Sequence, residues 1–250
     1  MLSRFMKRTF SAPVVIFAAS VTLSACSVPS EPVAVHDPFE KTNRKIHAFN
    51  KGLDRNLVKP VSNGYGIAVP DRIKNGVSNF SSNLSLPGQF VNAILQGDAE
   101  GAGRNFFRFA FNSTLGLGGF LDPATDMGLP AERADFGETL AVWGAPEGAY
   151  IELPFLGPST QRDTAGRIVD LFTNPLSYEL GDPENLAPPV SGVAARLGDR
   201  YAFGDTIDSI LYESADSYAQ GRLIYLESRR FDLGESGETQ NEESYDALFD

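Results

Sequence analysis

The amino-acid sequence predicts a mainly α-helical single domain, and three observations lead there. Apolar residues recur every three or four positions in segment after segment, the spacing that lines one face of a helix. Residues that start and stop helices flank those segments. The body from Asp37 to Phe231 contains no internal repeat and no second linker, and it is long enough for one domain with its own core.

Taken in order, Asp37 is placed to cap a first helix, with Pro38 in its first turn and Glu40 three residues after the cap. Phe39, Ile46, Phe49, Leu53 and Leu57 carry its apolar face. A second helix follows Pro70 through Ile73, Val77, Phe80 and Leu84, and a third runs from Pro87 to a stop at Gly97. Asp98 then caps a helix from Ala99 to Leu115. Phe106, Phe107, Phe109 and Phe111 fall within six residues there, more than one stripe can hold, so this helix is either buried on both sides or in contact with lipid. The Gly-rich run Leu115–Leu121 has no preceding strand pattern and no following Lys-Ser/Thr. It is read as close backbone packing or a bend and not as a phosphate loop.

Asp135, with Glu138 three residues on, opens a short helix through Trp143 that Gly144 terminates. A hairpin pairing Thr139–Trp143 with an extended Tyr150–Leu153 is the competing reading. Beyond Pro158 a helix spans Thr160–Phe172 and ends at Asn174-Pro175. Two more follow the Pro-rich connection at Pro188-Pro189, one through Ala195 and a long one from Thr206 to Arg230. In the long one Ile207, Leu211, Tyr218 and Tyr225 form the stripe, and Asp208, Glu213, Asp216 and Glu227 face water. Little is left for a sheet.

The two ends read differently. Residues 1–25 carry Arg4, Lys7 and Arg8, an apolar stretch from Phe10 to Leu23, and small residues at Ser24 and Ala25, the layout of a secretory signal peptide. The stretch is broken by Pro13 and is shorter than the roughly 20 residues that span a bilayer core, which argues against a permanent transmembrane helix. The single cysteine, Cys26, follows Leu23-Ser24-Ala25, a quartet that resembles the bacterial lipobox. A lone secreted cysteine has no intramolecular disulfide partner, so lipidation accounts for it better. Ser27 after it implies, by resemblance to lipoproteins in general, sorting to the outer membrane. Residues 26–36 are then the lipidated cysteine and a spacer, 37–231 the helical domain, and 232–250 an acidic tail without Lys or Arg that is read as disordered.

Composition excludes several functions. The formal net charge is −11, and loss of the leader would make it more negative, so nucleic acid is not a partner. Attachment to anionic lipid would have to come from acyl chains and apolar area. His36 and His47 are the only histidines, too few for a Ser-His-Asp arrangement or a multi-histidine metal site. No catalytic residues, metal or cofactor are expected.

Asp37-Pro38-Phe39-Glu40 with Asn43-Arg44 and Phe49-Asn50 is followed by Asn75–Phe80 with Asn83-Leu84. Leu95–Asp98, Arg108-Phe109 and Asn112–Gly116 come next, then Gly118–Asp122 and Phe136–Leu140. Leu153–Pro158 and Arg162-Asp163 complete the set. In this order the motifs resemble the MlaA/VacJ lipoproteins. The resemblance implies a single ring-like domain of amphipathic helices embedded in one membrane leaflet, the inner leaflet of the outer membrane, and penetrated by an amphipathic channel. It implies removal of stray phospholipids from the outer leaflet, with a trimeric porin and the soluble periplasmic carrier MlaC as partners. Phe136 to Gly144 corresponds to a loop region bordering the channel, where Gly137 and Gly144 would supply flexibility and Leu140 and Trp143 apolar contacts. The alternatives are a structural or surface-interaction lipoprotein without lipid traffic, and a lipid hydrolase.

Overall fold

The computed structural model describes residues 35–182 and 184–234. The leader, Cys26, most of the spacer and all but the first three residues of the acidic tail lie outside those residues. The described chain is mostly helical, in agreement with the sequence, and its sheet is one two-stranded hairpin.

Helix α1 spans Glu40–Leu53 and passes through a π-turn at Asp54–Val58 into α2, Lys59–Ala68. Asp37 does not cap α1, contrary to expectation; Phe39 occupies the cap position with no side-chain bond. The Asp37 carboxylate is drawn into a better-charged site, where it accepts from Asn43 Nδ2 at 2.9 Å, from the Tyr218 hydroxyl and from Arg222.

Val69 and Pro70 break the chain, and α3 then runs unbroken over Asp71–Gln96. The two helices expected on either side of Pro87 are therefore one. Proline inside a helix removes a hydrogen bond and crowds the carbonyl four residues back, at a cost of about 3 kcal/mol. Here Asn174 Nδ2, arriving from the end of a later helix, donates to Leu84 O at 2.9 Å within the disturbed turn, while Leu86 and Gly88 are buried beside it. Gly97, at φ +77°, closes α3, and Asp98 Oδ1 accepts from Gly101 N at 2.9 Å to start α4, Ala99–Thr114. The Gly-rich run is a close-packed bend: a Cβ on Gly119, at φ +97°, would lie 2.6 Å from Asn83 Cβ.

The short α5, Pro123–Asp126, leads to α6, Phe136–Val142. Strands β1, Tyr150–Leu153, and β2, Gly157–Thr160, pair antiparallel with Tyr150 opposite Thr160. The helical reading of the segment after Asp135 holds, as does the extended Tyr150–Leu153, but that strand's partner is the segment just after it. Thr160 caps α7, Gln161–Thr173, by accepting from Asp163 N at 3.1 Å. A single-turn α8, Leu176–Glu179, precedes α9, Ala187–Ala202.

The long final helix expected from Thr206 is broken. Helix α10, Gly204–Asp208, and a π-turn at Ser209–Glu213 end where Ser214 turns extended. Asp216 then caps α11, Ser217–Asp232, by accepting from Ala219 N at 3.1 Å. A new cap in mid-segment is favourable because Asp216 also receives both Arg44 guanidinium donors, at 2.8 and 3.0 Å. Asp208, expected to face water, takes Arg200 at 2.6 Å and Lys59 at 2.5 Å.

Helix α3 is the spine, packing on α4, α9, α6 and α7, while α1 and α11 meet over the hairpin. Two small apolar clusters mark the core. Tyr150, Tyr218 and Leu226 form one, and Ala93, Ala102 and Ala134, with Phe90 against them, form the other.

Candidate functional site

The partition of side chains is inverted relative to a water-soluble domain. Among the described residues, sixteen polar or charged side chains are buried against nine apolar ones, and large apolar residues are exposed on every long helix. Burial of polar groups costs free energy unless each is paired, and contiguous exposed apolar surface marks contact with lipid or protein. Helix α4 shows the inversion most clearly. Its buried face is Asn105, Arg108 and Asn112, while Phe106 and Phe107 are half exposed. Arg108 donates twice to Asp122, at 2.9 and 3.1 Å, and Asn112 Nδ2 donates to the same carboxylate at 2.8 Å. Burial alone would raise the Asp122 pKa, but a bond from the Thr125 hydroxyl at 2.7 Å, together with those from Asn112 and Arg108, lowers it. Of the two readings of the phenylalanine-rich helix, burial all round does not hold.

Helix α6 carries the residues expected to border a channel. Asp135 and Glu138 form the reciprocal capping box at its start. The Phe136 N–H donates to Asp170 Oδ2 at 3.1 Å, and Gln96 Nε2 of α3 donates to Thr139 Oγ1 at 3.1 Å. Gly137 is buried where α6 crosses α7: a Cβ there would lie 2.7 Å from Asp163 Oδ1 and 2.9 Å from Arg229 Nη2. It therefore serves close approach. Gly144, at φ +84° with open space around it, ends the helix by donating to Ala141 O at 2.8 Å, while Ala145 N reaches Leu140 O at 2.8 Å. This is the left-handed glycine stop of a helix. Leu140 is half-buried. Trp143 is 57% exposed, stands edge-on to Phe136 at 5.6 Å, and donates its indole N–H to Leu95 O at 3.0 Å.

Beneath α6 lies a charge knot that sequence reading did not find. Arg229 of α11 reaches Asp135 at 2.6 Å, Glu138 at 2.9 Å and Asp163 at 3.1 Å. Burial alone would lower the Arg229 pKa, but the bond to Asp135 and the charges of Asp163 and Asp135 outweigh it, and the net shift is upward. Glu138 moves the other way: burial, then repulsion from Asp135, pushes its pKa up to about 7 despite the partly opposing Arg229. Burial also raises Asp170, which accepts from Asn92 Nδ2 at 2.9 Å. A cavity of about 280 Å³, walled in part by Arg133, Asp163, Arg167 and Tyr225, opens beside the knot, and one of about 650 Å³ lies on the α4 side. Among the described residues no group of three or more His, Cys, Asp or Glu is arranged to hold a metal ion. No described helix is long and apolar enough to cross a membrane.

A profile of the MlaA lipoprotein family matches residues 35–232. The chain belongs to the MlaA lipoprotein family. A Rickettsia felis protein is 37% identical over 198 residues, 78% of this chain and 77% of the relative. The intermembrane phospholipid transport system lipoprotein MlaA of Escherichia coli is 35% identical over 217 residues, 84% of this chain and 83% of the relative. A solved structure described as the structural basis for maintenance of bacterial outer membrane lipid asymmetry matches with a TM-score of 0.67 at 32% identity, covering 79% of this chain and 98% of that one. The MlaA fold is thus a mainly helical single domain in this chain too. Arg108 and Asp163, which stand in the motifs shared with MlaA, are both buried ion-pair members. Arg229 and Asn105 lie outside those motifs, and only the three- and four-residue spacing of Asn105, Arg108 and Asn112 on α4 hinted at an inward polar face.

Proposed function

We propose that this chain is an outer-membrane lipoprotein that removes mislocalised phospholipids from the outer leaflet and passes them to a periplasmic lipid carrier. The inverted partition carries the reading: apolar side chains such as Phe106, Phe107, Leu171 and Phe172 face outward, and a paired polar interior backs them. A body of that kind sits as a ring in the inner leaflet of the membrane, and a polar path through it spares a headgroup most of the cost of crossing hydrocarbon. Acyl chains on Cys26 hold it there from the periplasmic side, since several chains anchor almost permanently where one gives only marginal binding.

Helix α6 and its stop at Gly144 form the movable border of that path, with Trp143 and Leu140 on its apolar side. The start of the helix is fixed by the Arg229 knot, so motion is confined to its end. A trimeric porin braces the body, and MlaC accepts the lipid. No step of bond making is involved, and the pull comes from downstream partners.

The test is to purify the lipidated protein from membranes and analyse what accompanies it. Intact phospholipid without free fatty acid is expected. Release of fatty acid from added phospholipid would replace transport with hydrolysis, and absence of any lipid would favour a structural lipoprotein.

A further inference from the structure

The cavity of about 650 Å³ lies between the end of α3, the first half of α4, the segment before α6 and the end of α11. Asn105 forms part of its wall, is only 1% exposed, and its Oδ1 has no hydrogen-bond partner. An acceptor left unsatisfied in a buried site costs roughly 1–3 kcal/mol, so a donor is expected in the cavity. Water is one such donor, but the surrounding charges select further.

The wall carries five carboxylates and two guanidiniums. Arg229 is committed to the knot with Asp135 and Glu138, and Glu132 pairs with Arg104. That leaves at the cavity Asp98, which spends one oxygen on its cap bond from Gly101 N, and Asp232 as carboxylates with no ion-pair partner among the described residues, and Arg133 as a cation without one. An ammonium with N–H donors answers Asn105 and the two carboxylates together, and a phosphate answers Arg133 bidentately. The outer surface of the same helices is apolar, with Ile94 and Leu95 next to Gln96 and with Phe106 and Phe107 next to Asn105. A ligand with a polar zwitterionic end and a long apolar remainder fits both.

We propose that this cavity is a headgroup pocket for a primary-amine phospholipid, its ammonium donating to Asn105 Oδ1 between Asp98 and Asp232 and its phosphate held by Arg133. The assignment rests on the lipid-transport reading. A choline head has no N–H for Asn105, and a glycerol head leaves the carboxylates uncompensated.

Labelled phosphatidylethanolamine, phosphatidylcholine and phosphatidylglycerol are titrated separately into the full lipidated protein in detergent. The ethanolamine lipid binds about tenfold more tightly than the other two, the scale of one charge-assisted hydrogen bond. Asn105→Leu abolishes the preference over the choline lipid, and Arg133→Gln weakens all three lipids alike. Should Asn105→Leu not fold, Asp232→Asn, at an exposed helix end, reduces the preference over the glycerol lipid, and an unchanged one would overturn the pocket. Equal binding of the three lipids by wild type would overturn the pocket and leave lipid transport standing, whereas no binding of any would overturn both. An unchanged preference over the choline lipid in folded Asn105→Leu would also overturn it. So would free glycerophosphoethanolamine binding as tightly as the lipid, which would make the ligand a soluble phosphoamine.

Discussion

Gly166 of α7 lies against Gly137 of α6 so closely that a Cβ on Gly166 would overlap the backbone nitrogen and Cα of Gly137. The two helices cross backbone to backbone, and that contact sets the distance at which Arg229 can reach Asp135, Glu138 and Asp163 together.

Gly166→Ala should therefore force the helices apart. Overpacking of this kind costs about 1–3 kcal/mol, which lowers the melting temperature by roughly 2–4 °C per kcal/mol in a domain of this size. Gly103→Ala is the control, since nothing lies within 4 Å of a Cβ there, and it should be neutral or stabilising by up to about 1 kcal/mol. Equal melting temperatures for the two variants would contradict the crossing.

Arg229→Met removes the cation that touches all three carboxylates of the knot. Breaking a buried ion pair from one side costs about 3–5 kcal/mol, so the midpoint of denaturant unfolding should fall sharply. Restoring stability by adding Glu138→Gln to Arg229→Met would show that the loss comes from stranded charge and not from packing.

Glu138 predicts a pH dependence of defined sign. Its folded pKa, about 7, lies above the ordinary carboxyl value of 4.5. Between those two values the folded protein holds a proton that the unfolded chain releases, so stability falls as pH rises from 4.5 to about 7. Glu138→Gln should flatten this slope. Asp216 has the opposite sign in another window: Arg44 lowers its pKa from 3.8 to about 2, so its contribution is lost only as pH falls through that range. A wild-type stability profile unchanged by Glu138→Gln between those limits would count against the buried carboxyl.

Asn174→Ala leaves Leu84 O without its side-chain donor in the turn that Pro87 disturbs. A loss of about 1–2 kcal/mol is expected. In a Pro87→Ala background the restored N–H of residue 87 serves Asn83 O and relaxes the turn, which lets Gly88 N–H close on Leu84 O, so the same change should cost measurably less. Equal costs in both backgrounds would mean that Asn174 acts elsewhere.

Which parts of this were legible in the sequence follows from how far each interaction reaches. The caps at Asp98 and Asp135 and the stops at Gly97 and Gly144 depend on neighbours within five residues, and all four were read correctly. Asp37 was not, because the Tyr218 that draws it away stands 181 residues off, and although the helix does stop at Asn174, the bond of that side chain to Leu84, 90 residues away, has no local signal. Asp216 offered a local cap signal, but the helical stripe through Tyr218 masked the break before it. The polar face of α4 was visible as a spacing, yet Asn105, Arg108 and Asn112 would ordinarily be turned to water. Their burial becomes intelligible only once Asp122 and the outward phenylalanines are in place.

The most direct test of the central claim is the amount of phospholipid exposed on the cell surface after deletion of the gene, with complementation by wild type and by Cys26→Ala. Exposure should rise on deletion, and only the form able to carry acyl chains should restore it. Surface phospholipid that stays at the parental level on deletion would contradict lipid removal and leave a lipoprotein with the MlaA fold in a structural role.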